Sequence, residues 1–98
     1  MANVIDYAER VSVYERAFEQ YGTMLQQVVA LEELSEAQKE ICKFLRGKGD
    51  IEHLAEEVAD ATIMLEQIQQ MYGIEEKVSR YIDAKVQRMV DRLDGKEV

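Results

Sequence analysis

Apolar and polar residues alternate with a helical period along most of this chain. In the second half, apolar positions recur at spacings of three and four, which places them on one face of a helix. One such stripe contains Leu54, Val58, Ala61, Leu65, Ile68 and Tyr72, and the next contains Ile74, Val78, Ile82, Val86, Met89 and Leu93. No segment shows the two-residue period of a strand. The pattern therefore predicts an all-α fold.

Glycines divide the helical pattern into four segments. Proline is absent, and the five glycines lie at positions 22, 47, 49, 73 and 95. Because glycine is the strongest helix breaker left, we expect helices at about 3–21, 23–46, 51–72 and 74–94. Thr23 and Asp50 are predicted N-caps, and Gly22, Gly73 and Gly95 suit the left-handed position at a helix end. No linker interrupts this series, so residues 1–98 are interpreted as one domain.

Two acidic pairs stand out from an acid-rich background. Glu33 and Glu36 are three residues apart, and so are Glu57 and Asp60, so each pair shares one helix face. The chain holds 20 acids, and chance alone produces several pairs with this spacing. These two differ because they lie beside apolar positions such as Ala37 and so partly face other helices.

The numbering of the two pairs predicts that they meet. Positions 33 and 60 average 46.5, and so do positions 36 and 57. That midpoint falls in the turn 46–49. An antiparallel hairpin of helices 2 and 3 would therefore place Glu33 across from Asp60 and Glu36 across from Glu57. The sequence predicts one site made of four carboxylates.

Four converging carboxylates repel one another unless they take up protons or bind a cation. Oxygen ligands favour a hard metal, and we expect Mg²⁺, with Mn²⁺ as the alternative. A di-iron site is disfavoured because it needs Glu-x-x-His on two helices. The single histidine, His53, has Asp50 three residues before it and is interpreted as a partly exposed residue. Cys42, the single cysteine, is interpreted as a packing residue.

Four basic residues and one tyrosine are candidates for binding phosphate. They lie on helix 4 and around the end of helix 2, and they are also explained as an ordinary solvated face. The candidates are Lys43, Arg46, Tyr81, Lys85 and Arg88.

These motifs resemble the all-α nucleotide pyrophosphohydrolases, which include MazG-type proteins, dimeric dUTPases and phosphoribosyl-ATP pyrophosphohydrolase. Their signature is E-x-x-E, a spacer and then E-x-x-D; here 20 residues separate Glu36 from Glu57. The sequence around the two motifs, from Glu32 to Gly47 and from Leu54 to Asp60, is similar to the small MazG-like branch. Ala37 departs from the pattern, since a larger aliphatic residue is common there.

The resemblance implies a function that composition and spacing do not supply. It implies Mg²⁺ ligands at Glu33, Glu36, Glu57 and Asp60, one of which orients the attacking water. The resemblance does not fix which of the four does so, and we expect Glu36. The reaction would convert a nucleoside triphosphate into the monophosphate and pyrophosphate. The resemblance also implies a homodimer or homotetramer, with helix 4 residues such as Lys85 and Arg88 facing the phosphates.

Composition narrows the possible partners and the location of the protein. A formal charge of −8 argues against nucleic acid as a partner, because such binding depends on Lys and Arg. No apolar run is long enough for a membrane span and no signal peptide is evident, so we expect a cytoplasmic protein. Two non-enzymatic readings remain: a helical oligomerisation or regulatory module with an acidic metal-binding face, and an inhibitor that presents its charge to a nucleic-acid-binding protein.

Overall fold

The computed structural model describes residues 5–96, and within them the secondary structure is entirely α-helical. The prediction of an all-α fold is confirmed. The helix predicted from residue 3 begins later, at residue 7, and residues 3 and 4 lie outside the described part. The four helices are α1 (Tyr7–Tyr21), α2 (Thr23–Leu45), α3 (Ile51–Tyr72) and α4 (Glu75–Leu93).

Local chemistry explains most helix ends. The Asp50 side chain caps α3 by accepting a hydrogen bond from the Glu52 amide at 3.0 Å, as predicted. The prediction for Thr23 was wrong, because Thr23 is the first helical residue and Gly22 occupies the N-cap position. The left-handed conformation predicted at the glycines that end helices is confirmed at Gly73, with φ 61° and ψ 39°. Gly95 has a positive φ of 70°. Gly22 has φ 86° but an extended ψ of 149°, so the prediction was wrong there.

Helices α2 and α3 form the antiparallel hairpin and make the main tertiary contact. Their facing surfaces carry small residues: Ala30 and Ala37 on α2 and Ala61 on α3 are buried. Met64, with 5% of its surface exposed, fills the space one turn further along α3. Small residues let two helix axes approach closely, which brings the polar residues between them within reach of one another.

The turn between α2 and α3 is closely packed. The Phe44 ring lies against Gly49 so tightly that a Cβ atom at that position would overlap it. Gly47, in the same turn, has φ +73°, a conformation that favours glycine. Two glycines in one short turn thus let the chain reverse beside a large aromatic ring.

A polar network attaches α1 to α3. The Glu66 carboxylate accepts hydrogen bonds from the Arg10 guanidinium at 3.0 and 3.2 Å and from the Tyr14 hydroxyl at 2.6 Å. Burial and the bond to Glu66 raise the pKa of Tyr14 to about 12. Burial opposes ionisation of Glu66, but the bonds from Arg10 and Tyr14 outweigh it, so the pKa of Glu66 is lowered.

Helix α4 is the least packed element. Its predicted buried stripe is wrong for the single chain, because Ile82, Val86, Met89 and Leu93 are exposed. The α3 stripe is also incomplete, since Val58, Leu65 and Tyr72 are exposed. Cys42, expected to pack, is exposed as well. The radius of gyration, 16.7 Å, exceeds the roughly 13 Å of a compact domain this long.

Within residues 5–96, no helix is both long enough and apolar enough to cross a membrane.

Candidate metal centre

The register of the α2/α3 hairpin agrees with the predicted midpoint of 46.5. Positions 26 and 67 average that value, and the Gln26 side-chain amide donates a hydrogen bond to the side-chain oxygen Oε1 of Gln67 at 2.8 Å. Glu40 and His53 average it too, and Glu40 Oε2 lies 3.5 Å from His53 Nε2. One contact lies on each side of the acidic pairs, so the register holds through the stretch that carries them.

Three of the four predicted carboxylates come together. Among the described residues, Glu33, Glu57 and Asp60 form a group in which one oxygen from each lies within 4.8 Å of the others. Glu33 and Glu57 are partly buried, and Asp60 is exposed. The group therefore spans both helices, with one acid from α2 and two from α3, and opens to solvent at Asp60.

The electrostatics of this group fit a cation-binding site. Burial and the nearby charges of Asp60, Glu57 and Glu36 raise the pKa of Glu33. A raised pKa means that the ionised form of Glu33 is disfavoured until a positive charge arrives. A divalent cation would relieve this repulsion.

Glu57 supplies a second indication. Its Oε2 atom is buried and has no hydrogen-bond partner. Buried polar atoms without a partner are uncommon because each costs free energy, and a place for a bound ion is one usual explanation. Three carboxylates with one unpartnered buried oxygen therefore suit a hard divalent cation.

Glu36 lies outside the three-carboxylate group. Its Oε1 atom is 3.5 Å from Lys39 Nζ, and half of its side-chain surface is exposed. It lines an open groove of about 600 Å³ along α2, together with Lys39, Cys42, Lys43 and Arg46. Glu36 thus faces a groove rich in cations, while its charge still acts on Glu33.

The candidate phosphate-binding residues fall into separate places. Lys43 and Arg46 share the α2 groove with Glu36, and Lys43 Nζ also lies 3.0 Å from Glu40 Oε2. Lys85 and Arg88 line a shallow pocket on α4, and Tyr81 lines another. Every residue around those two pockets belongs to α4, so neither pocket includes a member of the acidic group.

Glu40 and His53 were not predicted as part of the site. Glu40 is only 3% exposed, and His53 lies between it and Glu57, with Nε2 3.8 Å from Glu57 Oε1. His53 is exposed, in line with the prediction for it. The midpoint rule that paired 33 with 60 also pairs 40 with 53, so the signal was present in the sequence numbering.

No protein-family model matches this chain, and neither the curated proteins nor the solved structures contain a match.

Proposed function

We propose that this chain is a Mg²⁺-dependent nucleoside triphosphate pyrophosphohydrolase of the all-α, MazG-like kind. The observation that carries the proposal is the group formed by Glu33, Glu57 and Asp60 across the α2/α3 hairpin, with the unpartnered buried oxygen of Glu57. The substrate and the reaction are proposed from the E-x-x-E and E-x-x-D motifs, which resemble those of the all-α pyrophosphohydrolases. Oxygen-only ligands on an open site favour a cation that shares its coordination with phosphate.

Each part of the site has a role in this proposal. Mg²⁺ bound by the three carboxylates would supply positive charge to the triphosphate and Lewis acidity at its phosphoryl oxygens. Lys43 and Arg46, which line the groove beside Glu36, would bind phosphate oxygens. Mn²⁺ is the alternative ion, since it accepts the same donors.

Glu36 is suited to handle the attacking water. Its carboxylate is half exposed and free of the three-acid group, so it can accept a proton from water. The water oxygen would bond to the α-phosphorus while the bond to the oxygen bridging the α and β phosphates breaks. The products are the nucleoside monophosphate and pyrophosphate, with the water proton taken by Glu36.

The decisive experiment separates binding from chemistry. Pyrophosphate release is measured over a panel of ribo- and deoxyribonucleoside triphosphates, with and without Mg²⁺, for the parent chain, Glu36→Gln and Asp60→Asn. Mn²⁺ binding is measured for the same three proteins without nucleotide. Asp60→Asn is expected to abolish both Mn²⁺ binding and activity. Glu36→Gln is expected to retain Mn²⁺ binding and to lower kcat by about 10²- to 10⁴-fold. Absence of pyrophosphate release from every nucleotide would overturn the proposal.

A second candidate function is a non-catalytic interaction module, and the exposed apolar face of α4 favours it. On one face of the helix, four apolar side chains are each at least half exposed: Ile82, Val86, Met89 and Leu93. An exposed apolar face of this extent is typical of a binding surface. The proposed enzyme would use the same face for a homodimer or homotetramer, so pyrophosphate release distinguishes the two candidates.

A further inference from the structure

The α2/α3 interface contains a buried carboxylate that is not one of the proposed metal ligands. Glu40 is 3% exposed, in the hairpin interface and nearer the turn than the acidic group. It follows Glu33 by seven residues, or about two helical turns, so both side chains project from the same face of α2. Burying a carboxylate is costly unless charged or polar groups compensate it.

Two side chains, one from each helix, lie next to the Glu40 carboxylate. Lys43 Nζ lies 3.0 Å from Glu40 Oε2, and His53 Nε2 lies 3.5 Å from the same oxygen. Lys43 belongs to the same helix as Glu40, whereas His53 comes from α3. The contact between Glu40 and His53 therefore joins the two helices at a fixed register.

His53 continues the chain of contacts to a proposed ligand. It precedes Glu57 by one helical turn, and its Nε2 atom lies 3.8 Å from Glu57 Oε1. The imidazole thus lies between the Glu40 and Glu57 carboxylates. Glu57 has one oxygen facing this imidazole, while its other oxygen, Oε2, is buried without a hydrogen-bond partner. An oxygen without a protein partner remains available to a cation.

We infer that Glu40 and His53 are positioning residues that hold the Glu57 carboxylate for the metal ion, an inference that rests on the proposed metal-dependent function. Glu40 restricts the imidazole from the α2 side, and the imidazole restricts Glu57 Oε1. The Glu57 side chain then keeps one orientation before the cation binds. Replacing a group that orients a metal ligand in this way commonly lowers the affinity for the metal.

The test measures Mn²⁺ affinity by electron paramagnetic resonance, without nucleotide. Glu40→Gln and His53→Leu are expected to weaken Mn²⁺ binding by about 10- to 100-fold. His53→Gln is expected to recover most of the affinity, because its side-chain amide can place a polar N–H group between the Glu40 and Glu57 carboxylates, where the imidazole lies. Glu66→Gln is the matched control: it removes a carboxylate from an ion pair between α1 and α3 and should leave Mn²⁺ affinity unchanged.

The Glu57→Gln background distinguishes a positioning role of Glu40 and His53 from a merely structural one. There, Glu40→Gln and His53→Leu should cause no further loss of the residual Mn²⁺ affinity, because both act through Glu57. Circular dichroism establishes which variants fold; should Glu40→Gln fail to fold, the pair His53→Leu and His53→Gln decides. Folded variants that bind Mn²⁺ as the parent does would overturn the inference.

The same experiments distinguish this inference from the proposed function. A parent chain that binds Mn²⁺ but releases no pyrophosphate would contradict the hydrolase, and the variant affinities would still decide the role of Glu40 and His53. A parent chain that binds neither Mn²⁺ nor Mg²⁺ would contradict both.

Discussion

At the scale of single residues, the acidic group is destabilising until a cation binds. Glu33, Glu57 and Asp60 come together, and burial and the charges of its neighbours act against ionisation of Glu33. Replacing one of them should therefore have opposite effects on folding and on binding. The metal-free chain gains stability, whereas the cation loses a ligand.

Asp60→Asn should remove the stabilisation that Mg²⁺ gives to the folded chain. A site occupied at 100 times its Kd adds about 2.7 kcal/mol to the free energy of unfolding, and the variant should show almost none of this. Thermal unfolding is followed as Mg²⁺ is added. Asp83→Asn, at an exposed position on α4, is the control and should respond to Mg²⁺ as the parent does. Equal Mg²⁺ responses in all three proteins would mean that Asp60 binds no cation.

Glu33 should make the metal-free chain less stable as pH rises. Its folded-state pKa is raised above the ordinary value of 4.5, so the folded chain holds the proton more tightly than the unfolded chain. The stabilisation is complete below pH 4.5 and is lost as pH rises through the raised pKa. Thermal midpoints measured across this range in chelator should fall less steeply for Glu33→Gln. The exposed Glu19→Gln should keep the parent's slope, and an unchanged slope for Glu33→Gln would contradict the assignment.

At the scale of helices, the sequence predicted the elements well because their causes are local. Asp50 caps α3 through its own backbone neighbours, and Gly73 ends α3 in the left-handed conformation. Glu33, Glu57 and Asp60 were also predictable, since a hairpin midpoint follows from numbering alone. The orientation of Glu36 was not, because its rotamer depends on Lys39 and the open groove.

Local sequence patterns did not predict the contacts between helices that are far apart in the sequence. Arg10 and Glu66 are 56 residues apart, and nothing in either local segment marks them as partners. The exposure of Val86 was missed for a related reason. A helical period shows which residues share a face, but it does not show whether the same chain supplies the surface that covers the face.

Tyr14→Phe should loosen α1. The Tyr14 hydroxyl donates a 2.6 Å hydrogen bond to the Glu66 carboxylate, and the side chain is 5% exposed. Losing a hydrogen bond to a charged group costs about 1.5–3 kcal/mol, and because Arg10 still pairs with Glu66 we expect the lower end of this range. Urea unfolding gives the free energy. Tyr21→Phe, at an exposed position in the same helix, should change it little; comparable losses in both variants would contradict the role of the Tyr14 bond.

At the scale of the whole molecule, the single chain leaves an unusually large surface. It exposes 7863 Å², whereas a compact chain of 11.3 kDa exposes about 5700 Å². The difference, about 2000 Å², is comparable to the area that a stable or obligate interface buries. Together with the exposed apolar face of α4, this favours the homo-oligomer that we propose.

Val86→Lys should weaken that self-association. Val86 lies on the apolar face of α4 and is 50% exposed in the single chain, so a charge there would be buried in the proposed interface. Sedimentation equilibrium is expected to give a mass closer to 11.3 kDa than for the parent. Gln87→Lys places the same charge about 100° around the helix, outside the stripe of Ile82, Val86, Met89 and Leu93, and should leave the parent mass unchanged. A parent chain that already sediments as a monomer would contradict the oligomer.

The tight packing of Phe44 against Gly49 also limits how the chain can vary in length. Residues 46–50 act as a spacer, because the pairs 26/67, 33/60 and 40/53 all share their midpoint. One added residue in the spacer would offset every pair at once, whereas the connection between α3 and α4 has no such requirement. Length changes compatible with the site are matched ones: about seven residues added to each arm, two helical turns, would return the carboxylates to the same face. An insertion that preserves the site is therefore expected to add about seven residues to α2 and about seven to α3.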